Sequence, residues 1–245
     1  MQDVRRLVES TERDPRIPEG EGERFRGYGV MAAPFSSGHL LAMRRFPVSS
    51  VGPGYTSVWH RSPEGFWTMW TDQPPLDACP RYFGSAIDAS LETEIAVSWN
   101  GPVSFTVGIP AAALVWSIHL RATTATRALN GTAALMPDGF WHNRSVLRAM
   151  ASMAGGLLHA SKLSLQGQAP NGQHFVANPM RIWIIDRTEA SIAGEPLGEP
   201  GPLPVQVRLG DFWLPQRGLF AIGRAFFEAA DPERHRLVTS AARPD

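Results

Sequence analysis

The feature that most constrains this chain is the alternation of apolar and polar residues in short runs separated by glycine and proline. The 23 glycines and 21 prolines are spread between these runs and are not gathered in one linker. Because successive side chains of a strand point to opposite faces, such alternation predicts β-strands. The predicted strands are Leu40–Phe46, Tyr55–Arg61, Phe66–Thr71, Thr93–Trp99, Val103–Val107, Leu114–Thr124, Leu163–Gly167, Arg181–Asp186, Val205–Leu209 and Leu219–Phe227.

Two pairs of these strands have turn residues between them. Ser-Pro-Glu-Gly at 62–65 and Asn-Gly at 100–101 are typical turn sequences, so each pair is predicted to form a hairpin. So many strands in an open sheet would leave edges to protect. We therefore predict a mainly β protein with a single closed or nearly closed antiparallel barrel or cone.

One segment has helical periodicity instead. Apolar residues recur at spacings of three and four between Asn143, a good N-cap, and Ala160. This predicts one main amphipathic helix over about 143–160. Gly155 and Gly156 lie inside it, and glycine weakens a helix, so they indicate close packing against the sheet or an early end of the helix.

The length of 245 residues is typical of one large β domain. Residues 1–26 and 229–245 are rich in charged residues, Pro and Gly and have few apolar side chains to bury. We expect both segments to be loosely ordered, with the domain spanning 27–228.

Charge and cysteine content narrow the classes of partner. Lys and Arg together number 23, as do Asp and Glu, so the formal charge is zero and a nucleic-acid partner is not expected. A single cysteine, Cys79, forms no internal disulfide, and no apolar run is long enough for a signal peptide or a membrane span. These features predict a cytoplasmic protein without a membrane partner; a homo-oligomer is left open.

The common catalytic motifs are absent from the sequence: there is no nucleophile elbow, no phosphate-binding glycine loop and no His-Glu-x-x-His. The seven histidines are dispersed, and a metal site built from such separated ligands is not recognisable in one sequence, so no metal ligand is assigned, metal binding is left open and no cofactor is expected.

The candidate site residues are polar or aromatic side chains in or near apolar strands. In Trp116–Arg121 the apolar residues share one face of the strand, while Ser117, His119 and Arg121 share the other. That polar face lines either a cavity or, as is more usual, solvent. His60 and His119 are the candidate proton carriers, and Arg81 is the candidate that holds a carboxylate or carbonyl oxygen. The candidate ligand-binding residues are Arg44, Tyr55, Trp59, Arg61, Trp70, Tyr82, Trp116 and Arg121.

Three runs together resemble the acetoacetate decarboxylase superfamily. They are Gly38–Phe46 (GHLLAMRRF), Gly54–Ser57 (GYTS) and Phe66–Gly84 (FWTMWTDQPPLDACPRYFG), and the similarity covers roughly residues 38–100. The resemblance implies a single-domain, cone-like β architecture and a small-molecule site inside it.

The chain departs from that family at the residues that carry its chemistry. Where the family has its Schiff-base lysine, this sequence reads Ser85-Ala-Ile-Asp-Ala89, and where the family has a carboxylate it has Ser57. The only lysine, Lys162, follows the predicted helix and is a poor substitute for an amine of lowered pKa. Schiff-base decarboxylation is therefore not expected.

A lipocalin-like calycin barrel fits the predicted strands comparably, on fold-level analogy alone. Two functions stay open at this point. One is an enzyme, of lyase, hydratase or hydrolase type, acting on a small apolar molecule with a carbonyl or carboxylate group. The other is a non-catalytic carrier or sensor of an apolar ligand. A solid core without a cavity would exclude both.

Overall fold

The computed structural model describes residues 3–236, in which fourteen strands and four α-helices are found. The strands are β1 (Glu23–Pro34), β2 (Leu40–Ser49), β3 (Tyr55–Arg61), β4 (Trp67–Thr71), β5 (Ala89–Glu92), β6 (Ala96–Trp99), β7 (Ser104–Ile109), β8 (Leu114–Arg121), β9 (Gln166–Gln168), β10 (His174–Ile192), β11 (Glu195–Pro196), β12 (Arg208–Leu209), β13 (Phe212–Trp213) and β14 (Leu219–Phe227). The helices are α1 (Val4–Arg13), α2 (Pro80–Phe83), α3 (Thr124–Leu135) and α4 (Arg144–Leu157).

One curled sheet dominates the fold. Its strand order is β5-β4-β3-β2-β1-β14-β10-β8-β7-β6, with β9 and β11 pairing additionally to β10. All of these pairs are antiparallel except β4 with β5. The mainly β class is therefore confirmed. The sheet forms a half-barrel, because β5 and β6 are its two ends and do not pair with each other.

Both predicted hairpins are present. In the first, β3 pairs with β4, and Gly65 donates its backbone N–H to the Ser62 carbonyl at 3.0 Å. Gly65 has a φ of +96°, a conformation that favours glycine. In the second, β6 pairs with β7 across the Asn-Gly turn.

Apolar side chains cover both faces of the sheet around β3. Val58 belongs to a core cluster with Trp116, Trp183 and Phe220, whereas its neighbour Trp59 belongs to a second cluster on the other face. A strand covered on both sides needs no polar face. This explains why neither face of Tyr55–Arg61 is plainly polar in sequence.

The helical prediction agrees with α4 but is incomplete. Gly155 is buried, and a Cβ atom there would come within 2.3 Å of the Ser161 carbonyl oxygen, so close packing accounts for this glycine. The sequence analysis missed α3, extending the preceding strand as far as Thr124. The missed signal is a capping box, in which the Thr123 and Thr126 side chains each bond the other's backbone N–H.

The N-terminal segment differs from the expectation that residues 1–26 are loosely ordered. Val4 and Val8 of α1 are fully buried in the core of the sheet. Arg45 on β2 forms two hydrogen bonds of 3.0 Å with the Glu12 carboxylate, which also fixes the segment. Of the predicted C-terminal tail, residues 229–236 contain turns, and 237–245 lie outside the described residues.

Within residues 3–236, no helix combines the length and the apolar character needed to cross a membrane. In the same range, no three side chains of His, Cys, Asp or Glu come together as a metal site would require.

Candidate functional site

A cavity of about 180 Å³ lies against one face of the sheet. The strands β1, β2, β3, β10 and β14 supply one wall, and α3, α4 and the segment around β13 supply the others. Its apolar lining includes Phe46, Trp59, Leu129, Met150, Ala154, Leu163, Phe175, Ile182, Phe212, Leu219 and Phe227. An apolar cavity of roughly 150 Å³ holds a benzene molecule. This cavity therefore has room for a small ring or a short alkyl chain.

Arg44 brings a positive charge to this apolar cavity. Its side chain is buried at 6% exposure, and its guanidinium stacks over the Trp59 ring at 4.8 Å from the ring centre. The guanidinium donates to three backbone carbonyls, those of Val30, Met31 (3.2 Å) and Met43 (2.9 Å). Burial lowers the pKa of Arg44 from its ordinary value to about 10.

No carboxylate within the described part of the chain pairs with Arg44. A buried cation normally has an anionic partner, because taking an unpaired charge out of water costs several kcal/mol. Arg44 is therefore a ready binding partner for an anionic or carbonyl group of a ligand in the cavity.

The thiol of Cys79 lies beside Arg44 in the same cavity wall. The Tyr55 hydroxyl is 3.6 Å from Sγ, and the Ser57 hydroxyl and Trp59 indole N–H also face the sulfur. Burial raises the pKa of Cys79, and these donors, together with Arg44, only partly oppose the rise. Burial also raises the pKa of Tyr55 well above its ordinary value. Both groups therefore stay neutral near pH 7.

Arg81 already forms an ion pair with a carboxylate of the protein itself. Its guanidinium makes a bidentate pair with Glu23, at 2.6 Å and 3.2 Å, and the Tyr82 hydroxyl donates to the same carboxylate. Burial alone would raise the pKa of Glu23, but the hydrogen bonds from Arg81 and Tyr82 hold it below its ordinary value. Tyr82 lines the cavity, whereas Arg81 does not. The guanidinium of Arg81, the predicted holder of a carboxylate or carbonyl oxygen, is therefore paired with Glu23 outside the cavity.

His60 lies on the opposite face of β3 from Trp59, away from the cavity. Its Nε2 is 2.9 Å from Nδ1 of His39, and its ring stacks on Trp70, which packs in the core of that other face. Burial and the neighbouring His39 lower the pKa of His60 to about 4. Arg61 donates to the carbonyls of Gly38 and Ser62, which ties it to the first hairpin.

The remaining candidates lie on β8. Trp116 is fully buried, and its indole N–H donates to the Thr188 hydroxyl at 2.7 Å, so the polar group of this side chain already has a partner within the protein. Arg121 forms an ion pair of 2.9 Å with Asp186, and His119 Nδ1 lies 4.0 Å from the same carboxylate. This polar face lines neither the cavity nor the groove described next.

The structure thus brings together Arg44, Tyr55, Trp59 and Tyr82 of the predicted ligand-binding set. The other predicted residues, His60, Arg61, Trp70, Arg81, Trp116, His119 and Arg121, lie elsewhere. Sequence reasoning missed Cys79 as part of the wall, and it missed Asn178, whose buried Oδ1 has no hydrogen-bond partner. No short sequence motif marks either residue, because Asn178 joins the site through the pairing of β10 with β14, and Cys79 joins it through the contact of its thiol with Tyr55 on β3.

A second depression of about 660 Å³, which we call the groove, adjoins the cavity. The groove lies between α4, the segment 161–167 and the start of β10. Seven residues line both spaces: Ala151, Leu163, Ser164, Leu165, Phe175, Val176 and Trp213. The cavity and the groove are therefore neighbours that share these side chains.

No family model matches the chain. No curated protein matches it either.

Solved structures of acetoacetate decarboxylase are among those to which the chain is similar. One is the crystal structure of acetoacetate decarboxylase from Legionella pneumophila subsp. pneumophila str. Philadelphia 1, with a TM-score of 0.37, 12% identity, and coverage of 91% of this chain and 89% of that chain. The other comes from structural studies of acetoacetate decarboxylase, with a TM-score of 0.40, 12% identity and coverage of 91% of each chain. The similarity is one of fold.

Proposed function

We propose that this protein binds a small, largely apolar molecule with a carboxylate or carbonyl group, and that Arg44 is the partner of that group. The observation that carries the proposal is a buried arginine with no carboxylate partner in residues 3–236, at the wall of an apolar cavity. An arginine of this kind recognises a carboxylate through two parallel hydrogen bonds.

The composition of the wall favours binding over acid–base catalysis. Among the described residues that line the cavity there is no Asp, Glu, His or Lys. A general acid or base must lie within hydrogen-bond reach of the reacting atom, with a pKa near the working pH. His60 and His119 lie outside the cavity. The groups of the wall that could lose a proton, the Cys79 thiol and the tyrosine hydroxyls, have raised pKa values and stay neutral near pH 7. The carrier or sensor role is therefore the form of the proposal that we favour.

Matched pairs of ligands test this proposal. Benzoate and benzyl alcohol have similar apolar bodies, as do hexanoate and hexanol, so each pair isolates the carboxylate. We expect each carboxylate to bind about 10- to 100-fold more tightly than its alcohol, because hydrogen bonds to charged groups contribute roughly 1.5–3 kcal/mol. Isothermal titration calorimetry measures the difference, and native mass spectrometry of freshly purified protein identifies any ligand that is already bound.

Two outcomes would oppose the proposal. Equal affinity for the acid and the alcohol would show that Arg44 does not recognise the carboxylate. Release of a chemically altered ligand after incubation would show that the protein is an enzyme and not a carrier.

A further inference from the structure

The groove beside the cavity is strongly basic. Its lining includes five basic residues and one acidic residue among those described. These basic residues are His142, Arg144, Arg148, Lys162 and His174. The acidic residue, Asp211, already accepts a hydrogen bond from the Gln168 backbone at 3.0 Å and lies 3.5 Å from Arg208. The charge that faces the groove is therefore positive.

Arg144 and Arg148 form one side of the groove. They are separated by four positions on α4, which places them one above the other on the same helix face. Like charges at this spacing repel each other, and within residues 3–236 neither has a carboxylate within ion-pair distance. A bound anion would convert this repulsion into attraction.

Lys162 faces them from the segment that follows α4. Its backbone is held at both ends by Gln206, which accepts from the Lys162 N–H at 3.1 Å and donates to its carbonyl at 2.7 Å. Its ammonium lies 4.5 Å from the ring centre of Trp213, one of the residues shared by cavity and groove. The only lysine of the sequence therefore lies at the boundary between the apolar cavity and the basic groove.

We propose that the groove binds a phosphate-type dianion carried at the far end of the same ligand whose apolar body fills the cavity. This inference rests on the proposed function and specifies its ligand as an amphipathic molecule with two anionic ends. A dianion matches the unpaired charges of two guanidiniums and one ammonium better than a single carboxylate does. Arginine recognises phosphate bidentately, and lysine acts on it as a point charge.

Two families of probes separate the groove from the cavity. The first is a series of linear carboxylates of increasing chain length. The second is the same series with a phosphonate at the far end. At the best chain length we expect the phosphonate probe to bind about 10- to 100-fold more tightly than the plain carboxylate, as charge-assisted pairs of this kind allow. Raising the salt concentration reduces this advantage, because the groove charges are exposed and screened.

The lysine provides a second readout. An amine-directed acetylating reagent modifies only Lys162 and the chain's terminal amine, so mass spectrometry reports on a single side chain in the groove. We expect the phosphonate probe to protect Lys162 and the plain carboxylate to protect it less.

Paired substitutions locate the effect. Replacing both groove arginines, Arg144→Gln with Arg148→Gln, should remove the advantage of the phosphonate while the plain carboxylate keeps its affinity. Arg127→Gln on α3 is the matched control, since this exposed arginine lines neither the cavity nor the groove. Circular dichroism shows whether each variant is folded.

The outcomes are distinguishable. If both series bind equally while an alcohol of the same length binds more weakly, the groove proposal is overturned and the role of Arg44 survives. If neither series binds, the proposed function itself fails. If inorganic phosphate alone protects Lys162 as well as the tethered phosphonate does, the link between groove and cavity is refuted.

Discussion

Replacing Arg44 by methionine should separate ligand binding from stability. Methionine replaces the unbranched stem of the arginine side chain and has no charge, so it removes the guanidinium and keeps the apolar part. In the parent protein the guanidinium is buried, faces the cavity and donates to three carbonyls of β1 and β2. The substitution therefore removes one unfavourable and one favourable contribution to folding.

The favourable contribution is the larger of the two. The lowering of the Arg44 pKa to about 10 corresponds to roughly 3 kcal/mol against the charged form, at about 1.4 kcal/mol per pKa unit. Hydrogen bonds of a charged group contribute about 1.5–3 kcal/mol each, so the three bonds to carbonyls return roughly 5 kcal/mol or more. We therefore expect Arg44→Met to lower the free energy of unfolding by roughly 2 kcal/mol or more, as urea denaturation would show.

Binding of a carboxylate should respond far more strongly. Truncating one partner of a buried, hydrogen-bonded charge pair costs about 2–5 kcal/mol, so the affinity for benzoate should fall at least about 30-fold. At a ligand concentration of about 100 times the parent's Kd, benzoate should stabilise the parent by roughly 2.7 kcal/mol and the variant by about 0.9 kcal/mol or less. Calorimetric titration and thermal denaturation with benzoate measure both effects.

Arg45 is the matched control for this experiment. It is the next residue on β2, points to the other face and pairs with Glu12. Arg45→Met should leave the benzoate affinity unchanged, although it removes the contact with α1. A folded Arg44→Met protein that binds benzoate as tightly as the parent would refute the assignment of Arg44.

Three further predictions concern other parts of the fold. Arg81→Met leaves the buried Glu23 carboxylate without its ion-pair partner, so the free energy of unfolding in urea should fall by about 2 kcal/mol, with the carboxylate affinity of the folded protein unchanged; a selective loss of affinity would contradict this. His60 has a pKa of about 4 in the folded protein, whereas the pKa of an unfolded histidine is about 6.5. The unfolded state therefore binds more protons in this range, so the free energy of unfolding should decrease as the pH falls from about 6.5 to about 4. His60→Gln should remove about 2 kcal/mol of that decrease, measured by urea unfolding at stepped pH, and an unaltered pH profile would count against the burial of His60. Gly155→Ala should lower the melting temperature and destabilise the fold by about 1–3 kcal/mol, because its Cβ meets a backbone oxygen. Gly156→Ala has open space around its Cβ, so it should raise the melting temperature and stabilise the fold by up to about 1 kcal/mol. The reverse order of melting temperatures would exclude the close packing of α4.

The sheet was predictable wherever alternation is a local property of the chain. The alternating burial of β8 matches the sequence pattern, with Trp116, Ile118 and Leu120 in the core. Strand β1 was missed because Arg24 and Arg26 are followed by Gly27 and Gly29, so this segment looks like an exposed loop. Pairing with β2 on one side and β14 on the other makes this segment a strand, and that pairing is not visible locally.

The site was predictable only in part for the same reason. Arg44, Tyr55 and Trp59 follow from their places in two neighbouring strands. Arg81 was misjudged because its partner Glu23 lies 58 residues away in sequence. The walls supplied by α3 and α4 depend on helix packing against the sheet, which no single run of residues reveals.

The position of β14 has a consequence for how the chain is made. This strand, Leu219–Phe227, is inserted between β1 and β10 and joins the five-strand N-terminal part of the sheet to the rest. During synthesis, the edges of β1 and β10 that pair with β14 have no hydrogen-bond partner until nearly the whole chain has left the ribosome. Such edges promote association between nascent chains. A stop codon before residue 219 should therefore yield insoluble protein and not a smaller folded half, and recruitment of a chaperone to the nascent chain is expected until β14 emerges.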